Sequence, residues 1–150
     1  MSDRLSCYQT LNNRLREIRL LVLLPKPHPE DNRIQCKLLV SSLYSAPEYE
    51  ALSYTWGNPD NFNFRIWVDD VLVPVRRNLL CALRVLRRDI ERLLWVDALC
   101  INQEDNHEKG LQVEIIGKIF RHADQVWCGW VHHICLNSTH ERMSQGIRRH

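Results

Sequence analysis

The sequence predicts an α/β fold in which a mainly parallel sheet of the Rossmann or flavodoxin type is flanked by helices. The chain has 150 residues, which is room for one domain with its own core. From Tyr49 onward, β-rich segments alternate with amphipathic helical ones, as in strand–helix–strand units. The near-continuous apolar run Leu93–Ile101 is typical of a strand buried on both faces, and we expect it to be the central strand.

The N-terminal part predicts a pair of strands added to that sheet. Residues 1–17 form a polar lead-in with a short helix around Leu11–Glu17. The apolar segment Ile18–Leu24 predicts a strand, which ends because closely spaced prolines follow it. The segment Ile34–Leu43 alternates between apolar and polar residues, which predicts a second strand with one solvent-facing side.

The middle of the chain predicts a strand followed by a hairpin. Tyr49–Trp56 predicts the strand, and the turn-forming residues Gly57–Asp60 end it. Phe64–Val75 has two β-rich halves around Asp69 and Asp70, which is the pattern of a β-hairpin. Proline has no backbone N–H to donate, so Pro74 confines the second half to a sheet edge or a strand end.

Two amphipathic helices are predicted between the later strands. Asn78 is a good N-cap for the first helix. The apolar stripe of this helix consists of Leu79, Leu83, Leu86 and Ile90. Asp105 and Glu108 form a variant of the capping box that opens the second helix. One face of the second helix carries Gln112, Ile116, Ile119, Phe120 and Ala123. Val126–Val131 then predicts a short buried strand.

Composition excludes several classes of protein. The net charge is only +2, from 20 Lys and Arg against 18 Asp and Glu, so we expect no nucleic-acid partner. The longest apolar run, Leu20–Leu24, is far shorter than the roughly 20 residues of a membrane span. The N-terminus also lacks the apolar core of a secretory signal, so we expect a cytoplasmic protein.

No cofactor or metal is expected from the motifs. Neither GxGxxG nor GxxxxGK[ST], the two glycine-rich phosphate-binding fingerprints, occurs in the chain. Cys128, His132, His133 and Cys135 are zinc-binding residue types, but their spacing matches no common zinc finger.

The carboxyl ends of the parallel strands are the predicted ligand edge, because ligands bind there in open α/β sheets. Segments 55–58, 100–103 and 129–130 should converge at this edge. The candidate ligand-binding residues are Ser53, Trp56, Gly57, Asn102 and Gln103. Trp56 could stack on a ribose- or amide-bearing ligand, while Asn102 or Gln103 donates hydrogen bonds. The alternative is that these residues close turns and pack the sheet edge.

Two carboxylates are weak catalytic candidates. Asp97 lies inside the apolar run, where an unpaired carboxylate is costly to bury. It is therefore either an acid, base or ribose-binding group, or a structural residue that pairs with an arginine of segment 76–92 or caps the following loop. Glu108 stands at a helix start, where a carboxylate acts as a cap and dipole partner or, less commonly, in catalysis.

Three segments together resemble the heterokaryon incompatibility (HET) domain of filamentous fungi. They are Tyr49–Gly57 (YEALSYTWG), Leu94–Gln103 (LWVDALCINQ) and the pattern from Glu108 through Gln112 to Gly129. The matching motif residues are Tyr49, Leu52, Ser53, Tyr54, Trp56, Gly57, Trp95, Asp97, Cys100, Ile101, Asn102, Gln103, Glu108 and Gln112. The resemblance places the domain at residues 18–131, followed by an unpatterned tail at 132–150.

This resemblance implies a signalling module that triggers growth arrest or cell death when nonself is detected at hyphal fusion. Its partners would be proteins or further copies of itself. Because family members usually continue well beyond this point, it implies a truncated member with an incomplete sheet, and an inert truncated paralogue is a further alternative.

HET domains are also distantly similar to TIR domains, some of which cleave NAD, and only this alternative would involve NAD. The TIR catalytic glutamate lies on a helix beyond the strand equivalent to VWCGW. Only Glu141 follows that strand here, so the resemblance favours a module that is not an enzyme.

Overall fold

An eight-stranded mixed sheet organises the residues that the computed structural model describes, namely 7–54, 64–129 and 147–148. The strands are β1 (Glu17–Leu23), β2 (Gln35–Ser42), β3 (Glu50–Tyr54), β4 (Phe64–Val68), β5 (Val71–Val75), β6 (Arg92–Val96), β7 (Gln125–Gly129) and β8 (Ile147–Arg148). The helices are α1 (Arg77–Leu86), α2 (Asp97–Cys100) and α3 (Asn106–His122). The strand order is β5-β4-β2-β1-β6-β3-β7-β8.

The predicted mainly parallel sheet is wrong, because β1 runs antiparallel to both of its neighbours, β2 and β6. The parallel pairs are β3 with β6, β3 with β7, and β2 with β4. The three strands β6, β3 and β7 are those for which the strand–helix alternation predicts parallel pairing. The N-terminal strand pair joins them in the interior of the sheet, with β1 in hydrogen-bonded contact with β6. An apolar sequence pattern indicates that a strand is buried on both faces. It does not indicate whether the strand runs parallel or antiparallel to its neighbours.

The predicted strand over Leu93–Ile101 is half strand and half helix. Strand β6 ends at Val96, and Leu94, Trp95 and Val96 are fully buried, as the apolar run predicts. The chain then turns into α2, where the Ile101 N–H donates to the Asp97 carbonyl oxygen at 3.2 Å. A short apolar run fits a buried helical turn as well as a buried strand, so the pattern could not place this boundary.

Helix α1 is shorter than its predicted stripe. Leu79, Leu83 and Leu86 are buried, whereas Ile90 lies beyond the helix and is 72% exposed. The Arg92 guanidinium donates to the Leu86 carbonyl oxygen at 2.5 Å, which satisfies one of the orphan acceptors at the helix end. The N-cap prediction is also wrong by two residues: Arg76 holds the cap position, and Asn78 lies inside the first turn.

Helix α3 begins at the predicted aspartate N-cap, but the reciprocal half of the predicted capping box is wrong: the Asp105 N–H donates to the Asn102 carbonyl oxygen at 3.2 Å, and the Glu108 carboxylate binds Arg19 instead. Asp105 Oδ1 accepts hydrogen bonds from the backbone N–H groups of His107 at 3.1 Å and Glu108 at 3.0 Å. These contacts satisfy two of the amide donors that a helix start leaves open. Its buried face differs in part from the predicted one, since Ile115 is buried where Ile116 and Phe120 are half-buried.

The hairpin prediction is confirmed. β4 and β5 pair antiparallel, and β5 lies at the edge of the described sheet, where Pro74 leaves no ladder bond unmade on its outer side. The turn residues Asp69 and Asp70 have φ values of 48° and 62°, and positive φ at both central residues is the requirement of a type I′ turn.

The buried strand predicted over Val126–Val131 is observed over Gln125–Gly129, but it is not buried: Val126 and Trp127 are half-buried and Cys128 is exposed. The other predicted elements differ in extent or fall outside the described residues. The helix near Leu11–Glu17 is a 3-10 turn at Asn13–Leu15. The strand predicted over Tyr49–Trp56 is observed over Glu50–Tyr54. The turn residues 55–63 lie outside the described residues, as does the predicted tail apart from Ile147 and Arg148.

Replacing Asp70 by glycine should stabilise the protein. Glycine adopts positive φ without the steric cost that an L side chain carries, so we expect a gain of about 0.5–1 kcal/mol in the free energy of unfolding. Urea denaturation followed by circular dichroism measures this difference. Asp70→Val is the matched control and should destabilise, because a β-branched residue resists positive φ. A loss of stability in Asp70→Gly would show that the turn does not adopt this conformation.

Candidate functional site

A buried ion pair joins the centre of the sheet to the start of α3. Arg19 of β1 donates from Nη1 to Glu108 Oε1 at 2.5 Å and from Nη2 to Glu108 Oε2 at 3.0 Å. The Arg19 side chain is 1% exposed and the Glu108 side chain 10% exposed. The two parallel contacts form the bidentate arrangement in which guanidinium and carboxylate match best.

The same two side chains also hold three backbone segments. Arg19 donates to the carbonyl oxygens of Cys100 at 3.3 Å and Gln9 at 2.5 Å. Glu108 Oε1 accepts the backbone N–H of Asn102 at 2.9 Å. The N-terminal segment, the end of α2 and the loop before α3 therefore all converge on one pair of opposite charges.

Neighbouring side chains complete this cluster, which we call the Arg19–Glu108 node. The Tyr8 ring lies 4.7 Å from the Arg19 guanidinium carbon, and the Tyr8 hydroxyl donates to the Leu99 carbonyl oxygen at 2.9 Å. One helical turn beyond Glu108, Gln112 Nε2 donates to the Glu17 carbonyl oxygen at 3.1 Å. The node thus spans from the first described residues to the middle of α3.

Two of the predicted ligand-edge residues close the loop between α2 and α3. Gln103 Nε2 donates to the Asp97 carbonyl oxygen at 2.9 Å. Asn102 is 9% exposed, and its Oδ1 accepts the backbone N–H of Glu104 at 3.2 Å. Both residues thus make the turn-closing contacts of one interpretation, and ligand binding by them stays a prediction.

The strand registers show how far the predicted ligand edge is assembled. Ser53 pairs with Cys128 and Tyr54 with Gly129, so β3 and β7 end side by side. Strand β6 ends next to them, because Val96 pairs with Leu52. Ser53 is exposed at this edge, whereas Trp56 and Gly57 lie outside the described residues.

The two weak catalytic candidates have different surroundings. Asp97 is half-buried at the first position of α2, and its Oδ1 accepts the Ala98 N–H at 2.7 Å. Glu108 is neither a plain cap nor a free acid, because Arg19 occupies both of its oxygens. Sequence reasoning missed Arg19 itself. Its signal was a lone charged residue in the apolar run Ile18–Leu24, where an unpaired charge cannot be buried.

Another motif residue, Tyr49, is also occupied inside the protein. Its side chain is almost fully buried, and its hydroxyl donates to the Ile119 carbonyl oxygen of α3 at 2.5 Å. Burial raises the pKa of this phenol, so it stays protonated and remains a donor at neutral pH. Trp95 packs edge-to-face against Phe120 of the same helix, with ring centroids 5.4 Å apart.

The described ranges contain no evident metal-binding cluster. Within them, no group of three or more His, Cys, Asp or Glu side chains is arranged to hold a metal ion. Of the predicted zinc-type residues, Cys128 is an exposed free thiol, while His132, His133 and Cys135 lie outside these ranges. None of the described helices is both long enough and apolar enough to cross a bilayer.

The protein is thus an α/β domain in which polar motif residues such as Glu108 and Gln112 form hydrogen bonds in the interior. The family model for heterokaryon incompatibility protein (HET) matches residues 49–149, about two thirds of the chain. The chain therefore belongs to the heterokaryon incompatibility family. The match runs past residue 131, where the resemblance placed the end of the domain.

A curated relative supports the same conclusion. Heterokaryon incompatibility protein 6, OR allele, of Neurospora crassa is 35% identical over 134 residues, which cover 79% of this chain and 20% of the relative. The chain thus spans about a fifth of the length of that relative. No solved structure matches the chain.

Removing one partner of the Arg19–Glu108 pair should strongly destabilise the fold. Arg19→Met leaves the Glu108 carboxylate buried without its counter-charge. Glu108→Gln leaves the Arg19 guanidinium buried without its counter-charge. Each should lower the free energy of unfolding by about 3–5 kcal/mol, measured by urea denaturation.

The double variant Arg19→Met/Glu108→Gln tests whether the charges act as a pair. It should lose less than the two single variants together, because no uncompensated charge remains and the new amide oxygen still accepts the Asn102 N–H. Arg33→Gln is the control: Arg33 is exposed and pairs with Asp31 at 2.8 Å outside the node, so its loss should shift the urea midpoint far less than either single variant. Additive losses in the double variant would contradict the pairing.

The thiols should differ in reactivity according to burial. Burial raises the pKa of Cys36 and of Cys100 to about 12, so neither forms thiolate at pH 8. We expect iodoacetamide to alkylate the exposed Cys128 in the native protein and to spare Cys36 and Cys100, as peptide mass spectrometry would show. In urea all three should react. Native alkylation of Cys100 at the rate of Cys128 would show that the node opens to solvent.

Proposed function

We propose that the chain is a cytoplasmic signalling module of fungal nonself recognition, which acts through protein partners or self-association. Membership of the heterokaryon incompatibility family supports this assignment. The name of the Neurospora relative, an incompatibility protein, points in the same direction. In this proposal the output of the module is growth arrest or cell death.

The observation that carries the proposal is how the motif residues are used. Glu108, Gln112 and Tyr49 are bound inside the protein by contacts to β1 and along α3. A general acid must reach a substrate with its carboxyl group, but both oxygens of Glu108 are held by Arg19. These motif residues thus hold the fold together. Because the residues that characterise the family are structural in this protein, they support a domain that acts by presenting its surface to a partner.

An NAD-hydrolysing, TIR-like enzyme is the alternative function. It draws on the edge where β3, β6 and β7 end together, with Ser53 exposed there and Asp97 near the end of β6. An inert paralogue that keeps the fold without an effector function is the third alternative. The two experiments below separate all three.

Inducible expression in a filamentous fungus tests the signalling function. We expect colony growth to stop after induction of the wild-type chain and to continue with Arg19→Met, whose scaffold is broken. Arg33→Gln, which removes an ion pair outside the node, should arrest growth like the wild type. Normal growth despite accumulation of the wild-type protein would contradict the proposal and favour the inert paralogue.

Incubation of the purified chain with NAD tests the alternative. We expect chromatography to show no nicotinamide beyond the buffer control. Release of nicotinamide that disappears in Ser53→Ala or Asp97→Asn, with unchanged melting curves, would overturn the non-enzymatic assignment.

A further inference from the structure

An open groove lies on a different side of the fold from the strand ends considered above. It has a volume of about 780 Å³ and is formed by the β1–β2 connection, the start of β4 and α1. This volume is within the range of roughly 300–1,000 Å³ that small-molecule sites occupy. No part of the Arg19–Glu108 node lines it.

The floor of the groove is apolar. Ile34 and Leu80 are buried, with 1% and 5% exposure, and Phe64 is half-buried beside them. A half-buried phenyl ring on an aliphatic floor offers a flat contact surface for an apolar or aromatic ligand group.

The rim of the groove is rich in guanidinium groups, contributed by Arg33, Arg65 and Arg84. Arg33 is engaged by Asp31, with Nε–Oδ1 at 3.0 Å and Nη2–Oδ2 at 2.8 Å. These bonds hold the pKa of Asp31 at about 2, so its charge is matched by Arg33. Arg65 and Arg84 are exposed, and within the described ranges neither forms an ion pair with a carboxylate.

Among the residues that the structure describes, the other charged group of the rim is Glu30, which is exposed like the neighbouring His28. With Arg33 and Asp31 balanced, the two guanidiniums of Arg65 and Arg84 face one carboxylate, so the rim keeps an excess of positive charge at neutral pH.

One further arginine fixes the wall of the groove. Arg87, one turn beyond Arg84, donates from Nη1 to the Arg33 carbonyl oxygen at 2.7 Å, which ties the β1–β2 connection to the end of α1. Burial and the nearby Arg84 charge lower the pKa of Arg87, so positive charge is crowded on this side of the helix. A pre-formed wall reduces the ordering cost of binding a ligand.

We propose that this groove binds an organic phosphate, with its apolar part against Phe64 and its phosphate on Arg65 and Arg84. Guanidinium groups bind phosphate oxygens through paired, charge-assisted hydrogen bonds, which makes phosphate the fitting anion for this rim. The apolar floor selects an aromatic or otherwise apolar ester over inorganic phosphate. The site is independent of the signalling function proposed above.

Calorimetric titration of the full chain with 1-naphthyl phosphate tests the site, with 1-naphthol and inorganic phosphate as comparison probes. We expect naphthyl phosphate to bind about tenfold or more tightly than either, since each probe lacks one of the two contacts. Arg65→Gln and Arg84→Gln should each weaken binding by a similar factor, and Arg84→Lys should weaken it less.

Arg88→Gln is the matched control, because it removes the same charge just beyond the end of α1, from a residue that lines a different cavity. It should leave binding unchanged, and circular dichroism should show that all variants melt as the wild type does. If Arg88→Gln weakened binding of naphthyl phosphate equally, the effect would be one of net charge, and the proposed site would be contradicted. Equal binding of 1-naphthol, or no saturable heat in the low millimolar range, would overturn the proposal.

Discussion

The buried pair of Arg19 and Glu108 is the interaction on which the rest of the structure depends. Removing two charges from water costs several kcal/mol per ion, and attraction offsets more of this cost the more of the remaining donors and acceptors are satisfied. Here both carboxylate oxygens and both terminal guanidinium nitrogens have partners. One Arg19 donor, Nε, and one neighbouring acceptor, Gln112 Oε1, lack a partner among the described residues.

The pair also fixes the register of the central strand. Successive side chains of a strand point to opposite faces, so a slip of β1 by one residue would carry Arg19 to the face away from α3. Ile18, Leu20 and Leu21 would tolerate that slip, since all three are apolar and buried. A strand that is apolar on both faces does not define its own register, and here the buried charge supplies the missing information.

Local signals in the sequence predict individual helices, strands and turns. The direction of a strand and the partner of a buried side chain depend instead on residues that are distant in the sequence. The hairpin at Asp69 and Asp70 and the cap at Asp105 depend on residues within a few positions of one another, and both predictions are confirmed. The antiparallel placement of β1 and the partner of Glu108 depend on contacts between distant parts of the chain, 89 residues apart for the ion pair. The position of Glu108 at a helix start predicts that its carboxylate has a specific role. That role is to bind Arg19, and no rule of sequence spacing connects the two residues.

The same dependence explains why the helix predicted as far as Ile90 and the strand predicted through Asp97 both end early. Ile90 continues the apolar spacing of α1, but Arg92 binds the Leu86 carbonyl and also pairs with Glu50, so the chain leaves the helix to enter β6. Asp97 continues an apolar run, but β6 pairs with β3 only as far as Val96, after which the chain turns into α2. In both cases a tertiary contact of the neighbouring strand overrides a local pattern.

The loop between α2 and α3 shows how the interior and the sheet edge are linked. This loop follows the end of β6, and the Asn102 N–H binds the same Glu108 oxygen that Arg19 Nη1 contacts. Gln103 ties the other side of the loop back to Asp97. A partner or ligand that displaced this loop would have to expose a buried acceptor and weaken a buried charge pair. The contacts of Asn102 and Gln103 therefore tie the loop between α2 and α3 to the buried ion pair on one side and to the start of α2 on the other.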